Sequence, residues 1–301
     1  LVFHLTNATV PKKPLVAFDK ELCRCAKRWL HLPQRASTEP LYIPTSHGGL
    51  GLVKLQHLAD ACEVAHVNTL LASQDPVVHS IASQSSREVA EKKVQRAVTD
   101  DEMRDYYNGS TEGVFDTNST DVASVWTRAR MATRRLRNLT NVSWACTNGQ
   151  LSLKIGDQTA AAAPGTTQHL LRRALWIHEL QSLLEKPDQG RVFDASMLHS
   201  ASNHFMARGN FTRFCDWRFI HRARLNVLPL NGCRRHGDGD RRCRRCGYDS
   251  ETAAHVLGRC NAHSRAVTLR HNAIVSRLLK AAHPSPGSAV YSDQKIPGTP
   301  C

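Results

Sequence analysis

Cys243, Cys246, His255 and Cys260 lie in the stretch CRRCGYDSETAAHVLGRC (243–260), with spacing C-x2-C-x8-H-x4-C. Three thiols and an imidazole are the donors that zinc takes tetrahedrally in structural sites. The C-x2-C pair gives a tight turn that presents two sulfurs to one ion, and Gly247 loosens the chain after the second ligand. DSETAAHVLG reads as a short helix capped by Asp249 or Ser250 and stopped at Gly258. His255 projects from that helix, and Cys260 closes the cage. A disulfide framework is the competing reading. The opening LVFHLTNATVPKKPL lacks a basic start, a long apolar run and a small-residue cleavage site. Cys23, Cys25, Cys62, Cys146, Cys215 and Cys301 are scattered, several within helical patterns. Both features favour a reduced compartment, where clustered cysteines read as metal sites. The Asn-x-Ser/Thr matches at Asn7, Asn118 and Asn210 are then chance. Cys233 and His236 form a second C-x2-H pair, read as an exposed loop pair without metal.

The approach to this module is basic. Arg213, Arg218, Arg222, Arg224, Arg234, Arg235, Arg241, Arg242, Arg244 and Arg245 lie between Phe211 and Arg245, against only Asp216, Asp238 and Asp240. Phe211, Phe214, Trp217, Phe219 and Ile220 interleave with the first arginines, a pattern that predicts a helix with aromatics inward and arginines outward. Arginine contacts phosphate bidentately and stacks on bases, so the segment fits nucleic-acid binding. The whole chain carries +14, which favours a polyanionic partner. With no run of eighteen or more apolar residues, no membrane-spanning helix is expected.

Catalytic sets are harder to find. Two-metal chemistry needs paired carboxylates about 3.5–4 Å apart. The adjacent pair Asp100–Asp101 sits in a charged helical run, RAVTDDEMRDYY, rather than at a turn between apolar strands. Pro187–Asp188 lacks a following acidic-x-Lys, and Asp293-Gln294-Lys295 has that form without a second carboxylate. No Ser/His/Asp or Cys/His set has local support. The expectation is a chain that catalyses nothing by itself.

The elements that must position these residues are mostly helical. At 41% hydrophobic, 301 residues can bury a core. Leu15, Phe18, Leu22, Cys25, Ala26 and Trp29 mark one face of a helix ended by Pro33. SHGGLGL (46–52) is a glycine turn without the GxxxxGK[ST] of a phosphate loop. Leu55, Leu58, Ala59, Cys62, His66, Thr69 and Leu70 predict a second helix, with His66 packed or half-exposed. Residues 73–124 read as a charged helix and a flexible loop. Trp126–Leu139 follows, placing Arg130, Arg134 and Arg137 on one face. AAAAPGTT (160–167) links to a helix over 168–186 stopped by Pro187, and a last helix carries Val267, His271, Ile274, Leu278 and Ala281 on one side. Little strand signal is seen before the final dozen residues.

At this point the residues resemble a family. FIHRARLNVLPLNGCRRHGDGDRRCRRCGYDSETAAHVLGRC followed by RHNAIVSRL is similar to the C-terminal region of Pol proteins of site-specific non-LTR retrotransposons, the type-1 elements inserted in insect ribosomal RNA genes. Arg224, Asn226, Leu228 and Pro229 match that family's Arg-x-Asn-x-Leu-Pro. Cys243, Cys246, His255 and Cys260 match its knuckle, and Arg270, His271 and Asn272 its Arg-His-Asn helix. Asp19, Trp29, Leu30, Leu32, Pro33, Gly48, Gly49 and Gly51 resemble the thumb behind the family's polymerase palm. The resemblance covers both ends of the chain, with a weakly matched middle.

It implies a mainly α fold: a thumb-like end of the reverse transcriptase region (1–72), a charged helical linker (73–207), a basic helix with zinc knuckle (208–262), and the start of an α/β restriction-like endonuclease domain (263–301). The implied parent is an RNA-directed DNA polymerase and endonuclease in the nucleus, whose partners are RNA template and target DNA. Its catalytic Mg²⁺ carboxylates would lie before Leu1 and its nuclease acids after Cys301. This chain would then be a part lacking both catalytic centres. The alternative is a non-enzymatic zinc-finger protein that binds RNA or DNA.

Overall fold

The structure, a computed structural model, describes residues 2–7, 10–116, 121–160, 165–206, 212–233 and 239–283. It is mainly helical and divides into two compact units, Leu1–Arg218 and Phe219–Cys301.

In the first unit α1 (Val2–Asn7) and α2 (Lys12–Trp29) precede a glycine-rich turn, and α3 (Leu55–Leu71) follows it. At Gly49 a Cβ would overlap the backbone carbonyl of Ile43, so only glycine lets the turn close on residues 40–43. The N-cap residue of α3, Lys54, offers no side-chain acceptor. Asp19 supplies one from α2: its carboxylate accepts from the N–H groups of Leu55 (2.7 Å) and Gln56 (3.1 Å). Two of the orphan donors at the helix start are thereby satisfied from a neighbouring element.

The next three helices cap themselves. Asp75 accepts from Val77 and Val78 at the head of α4 (Pro76–Val94). Thr99 and Glu102 form a capping box on α5 (Asp100–Tyr107), so the acidic pair Asp100–Asp101 belongs to a helix start. Ser124 caps α6 (Val125–Arg137). After α6 come β1 (Val142–Thr147), β2 (Gln150–Ile155) and β3 (Gln158–Thr159), antiparallel in that order. Thr147 pairs with Gln150, leaving Asn148 (φ 51°) and Gly149 (φ 75°) as a two-residue turn. Positive φ at both central residues is what an Asn-Gly hairpin provides. This corrects the expectation of little strand before the last dozen residues. The Asn-Gly dipeptide was the available signal. α7 (Thr166–Leu184) and α8 (Arg191–Met197) complete the unit.

One apolar core joins α3, α4, α5, α6, the sheet and α7, through Val64, Val67, Tyr106, Tyr107, Leu136, Trp144, Leu153 and Leu171. α3 is buried nearly all round and carries two acids inward, Asp60 and Glu63. Asp60 meets Lys12 and Arg135 at 2.6 Å each, and Glu63 meets Arg128 at 3.0 Å. Arg130 is fully buried, donating to the Ser110 carbonyl at 2.6 Å with its guanidinium over the Tyr106 ring. The expected basic face of Arg130, Arg134 and Arg137 therefore splits. Arg130 enters the core and Arg137 donates to the Asn108 carbonyl at 2.9 Å, while Arg134 stays exposed.

The boundary between units falls within α9 (Phe214–Arg224), and the second unit adds α10 (Ala253–Gly258) and α11 (Ser264–Ala281). α9 ends in a Schellman motif: Val227 donates to the Arg222 carbonyl and Asn226 to that of Ala223, both at 3.0 Å. Asn226 occupies the left-handed position at φ 52°. That is the physical work of the Arg-x-Asn-x-Leu-Pro segment: it stops a helix and turns Val227 and Leu228 into buried positions. Residues 284–301, where the nuclease strand and Asp293-Gln294-Lys295 were expected, lie outside the described residues.

Candidate metal centre

Cys243, Cys246, His255 and Cys260 come together, each with one ligand atom within 4.8 Å of the others. The Sγ atoms of Cys243 and Cys260 are 3.9 Å apart, and Cys246 Sγ is 3.2 Å from His255 Nε2. A tetrahedral zinc with its usual bond lengths requires edges of about 3.8 Å between sulfurs and about 3.5 Å between sulfur and nitrogen. These two edges stand within a few tenths of an ångström of that geometry, all four donors lie within 4.8 Å of one another, and Nε2 is the imidazole nitrogen beside Cys246.

Local backbone sets this up. Cys243 donates its N–H to the Tyr248 carbonyl at 2.7 Å, and Gly247 to the Cys243 carbonyl at 2.9 Å. Gly247 sits at φ 73°, where a side chain would be strained. Backbone N–H groups of Arg245 and Cys246 aim at the Cys243 sulfur and bring its thiol down to about 6, while burial pushes the Cys260 thiol up. His255 is carried on α10. The cap of that helix is Thr252, whose hydroxyl accepts from the His255 N–H at 3.2 Å, in place of the expected Asp249 or Ser250. The Tyr248 ring stacks on the imidazole at 4.6 Å and 8°, fixing its plane.

Glu251 is the residue that sequence reasoning missed. Buried in the knuckle, it accepts from the N–H of Asn231 (2.8 Å), the N–H of Arg244 (3.2 Å) and Arg244 Nε (2.9 Å). Its own carbonyl accepts from Gly232 at 3.1 Å, and a Cβ at Gly232 would press on that backbone. These bonds hold Val227–Cys233 against the metal module, and their donors hold the Glu251 carboxyl below its ordinary range, Arg244 foremost. No helix or strand spans 244 to 251, so secondary-structure period gave no hint of the pair. Arg270 anchors α11 by donating to the Leu257 carbonyl at 2.6 Å.

The arginines divide by environment. Arg241, Arg242 and Arg245 are exposed, with Arg242 paired to Asp240 at 3.2 Å. Arg244, also exposed, has its guanidinium on Glu251 and the Pro229 carbonyl. Arg224 is buried, with its charge disfavoured by desolvation. Arg222 is half-buried. Arg213 pairs with Asp216 at 2.8 Å, and Arg218 contacts His31 Nε2 at 2.8 Å. Arg234, Arg235 and His236 lie outside the described residues. Cys233 is buried and donates its thiol to Asn226 Oδ1 at 3.1 Å, apart from the four ligands.

The rings of α9, expected to point inward, divide, and only Trp217 packs against a core cluster. Phe214 and Phe219 are exposed, while His221 and Arg224 are the buried positions. Among the described residues no helix is long and apolar enough to cross a membrane. No protein-family model matches this chain, and no curated protein matches it.

Proposed function

We propose that the chain is a nucleic-acid-binding part of a retrotransposon reverse transcriptase–endonuclease, with a zinc ion as the structural centre of its knuckle. The cage geometry carries the zinc reading. Three sulfurs and one imidazole are soft and borderline donors that select zinc over magnesium or calcium. Cys243, Cys246, His255 and Cys260 would hold the ion, and the ion would supply fold rather than chemistry.

The nucleic-acid reading rests on the +14 charge and on Arg241, Arg242 and Arg245 displayed beside the cage. Phosphate contacts carry no sequence information, so the binding is salt-dependent and weakly sequence-selective. Arg241→Ala with Arg245→Ala should lower the log–log salt slope by about 1.5. An unchanged slope removes this segment from the interface. The retrotransposon assignment rests on the motif resemblance at both ends of the chain. A Phe/Tyr-x-Asp-Asp motif between apolar strands in the reading frame upstream of Leu1 supports it, and a continuous host gene there overturns it. The restriction-like nuclease start belongs to the same proposal.

The second reading, a zinc-finger protein that binds nucleic acid without catalysis, rests on the same Cys3His group and exposed arginines. Both readings expect the purified chain to show neither DNA synthesis nor nicking with Mg²⁺, and measurable turnover would contradict both.

A further inference from the structure

The first unit carries an aromatic surface that the metal centre does not use. Phe214 is 56% exposed although it is a large apolar ring. It stacks on Trp217 at 5.8 Å and 25°. Trp217 is anchored: it packs against the cluster of Ala26, Leu30, Leu41 and Tyr42, and its indole N–H points to Met206 Sδ at 3.1 Å. The Arg218 guanidinium lies over the same ring, 4.8 Å from the Phe214 centroid, held by His31. Arg213 stands one residue before the ring, exposed and paired with Asp216.

A ring that stays 56% exposed with a fixed indole stacked on it and a guanidinium held over it is a rigid, amphipathic platform. A protein core would bury such a ring, and a membrane surface would want more apolar area than one phenyl group offers. An unpaired nucleobase fits it, because every base has a π-face and its phosphate falls within reach of a neighbouring arginine. Bases inside a duplex have their faces covered by their neighbours and cannot use the platform.

We propose that Phe214, supported by Trp217 and Arg218, is a base-stacking site for single-stranded nucleic acid, distinct from the phosphate contacts of Arg241 and Arg245. The proposal rests on the nucleic-acid reading above and adds strandedness to it. The test uses the full zinc-loaded chain, with fluorescence anisotropy against a labelled twelve-nucleotide single strand and the duplex of the same sequence. Loss of one base–aromatic stack should weaken single-strand binding of Phe214→Leu by about 5- to 150-fold. Duplex binding should stay within about twofold. Phe214→Tyr keeps the ring and should keep single-strand affinity. Circular dichroism of both variants should match the unsubstituted chain, since an exposed ring contributes little to folding. Equal losses for single strand and duplex, or no loss for either, overturn the stacking site while leaving the phosphate reading intact. A chain that binds neither form overturns the nucleic-acid reading and this site with it.

Discussion

The two units hold together by different physics. In the first, an apolar core spans elements from α3 to α7, and the charges that enter it are paired: Asp60 with Lys12 and Arg135, Glu63 with Arg128. In the second, burial is sparse, and α11 contributes no buried residue at all. Its described residues gather around the Cys3His group, one buried carboxylate and a Schellman turn. A large unit can rely on area removed from water, whereas a small one needs a staple.

Removing the staple should separate the units most sharply. Structural zinc contributes about 10–16 kcal/mol to folding in small finger peptides. A strong chelator, or Cys260→Ser, should therefore abolish hydrogen-exchange protection over 239–263 while amides of α3 and α6 stay protected. Protection that survives chelation, with no zinc found by elemental analysis, would end the zinc assignment. The converse cut is Trp144→Ala, which empties a fully buried site whose indole N–H serves Thr133 at 3.0 Å. It should cost about 3–5 kcal/mol in the first unit, read by chemical denaturation, without changing zinc stoichiometry.

Smaller effects sharpen the contrast. Glu251→Gln keeps the shape and removes the charge that holds Arg244, so the second unit should lose about 1–3 kcal/mol with its zinc retained. Equal stability would mean that the Arg244 pair holds nothing in place. Asp19→Ala should cost the first unit about 0.5–2 kcal/mol through the uncapped start of α3, measured as a lower Tm.

Acid gives the smallest difference. Burial, with Lys54 adding to it, lowers His57 from 6.5 to about 4. The folded state then favours the neutral ring, so stability is present at high pH and is lost as pH falls from about 6.5 toward 4. Between pH 8 and pH 6 the loss should be roughly 0.8 kcal/mol. His57→Gln should remove it. Glu21 and Glu102, held near 2 by Arg24 and Arg96, act only at lower pH.

Much of this was legible in the sequence where periodicity is long. α2, α3 and α7 follow runs of apolar residues at helical spacing, and the stops at Pro33 and Pro187 fall just past two of them. The metal ligands were legible because cysteine and histidine at knuckle spacing have few other uses. The hairpin was passed over because its alternation is short, although Asn148–Gly149 named the turn. Helix α9 defeated composition: Phe214, Trp217, His221 and Arg224 form one stripe at helical spacing, yet Phe214 is open to water and Arg224 is not. Which end of a stripe is covered depends on what packs there, and residue type alone does not carry that. Glu251 was hidden for a related reason, since its partners are brought near by the turn rather than by any regular element.

The Glu251 carboxylate joins the cage to the segment that leads into it, so loading an ion would have a mechanical effect beyond its own ligands. An ion that drew the cysteines together would hold Cys243 and Cys246 on either side of Arg244, whose partner Glu251 also accepts from Asn231. The guanidinium groups of Arg241 and Arg245 would then be presented from a stiff base and, under the proposed function, would spend little entropy on meeting a phosphate. The metal would in this way act as a tensioner, setting how firmly the basic edge is offered to a strand without touching the strand itself.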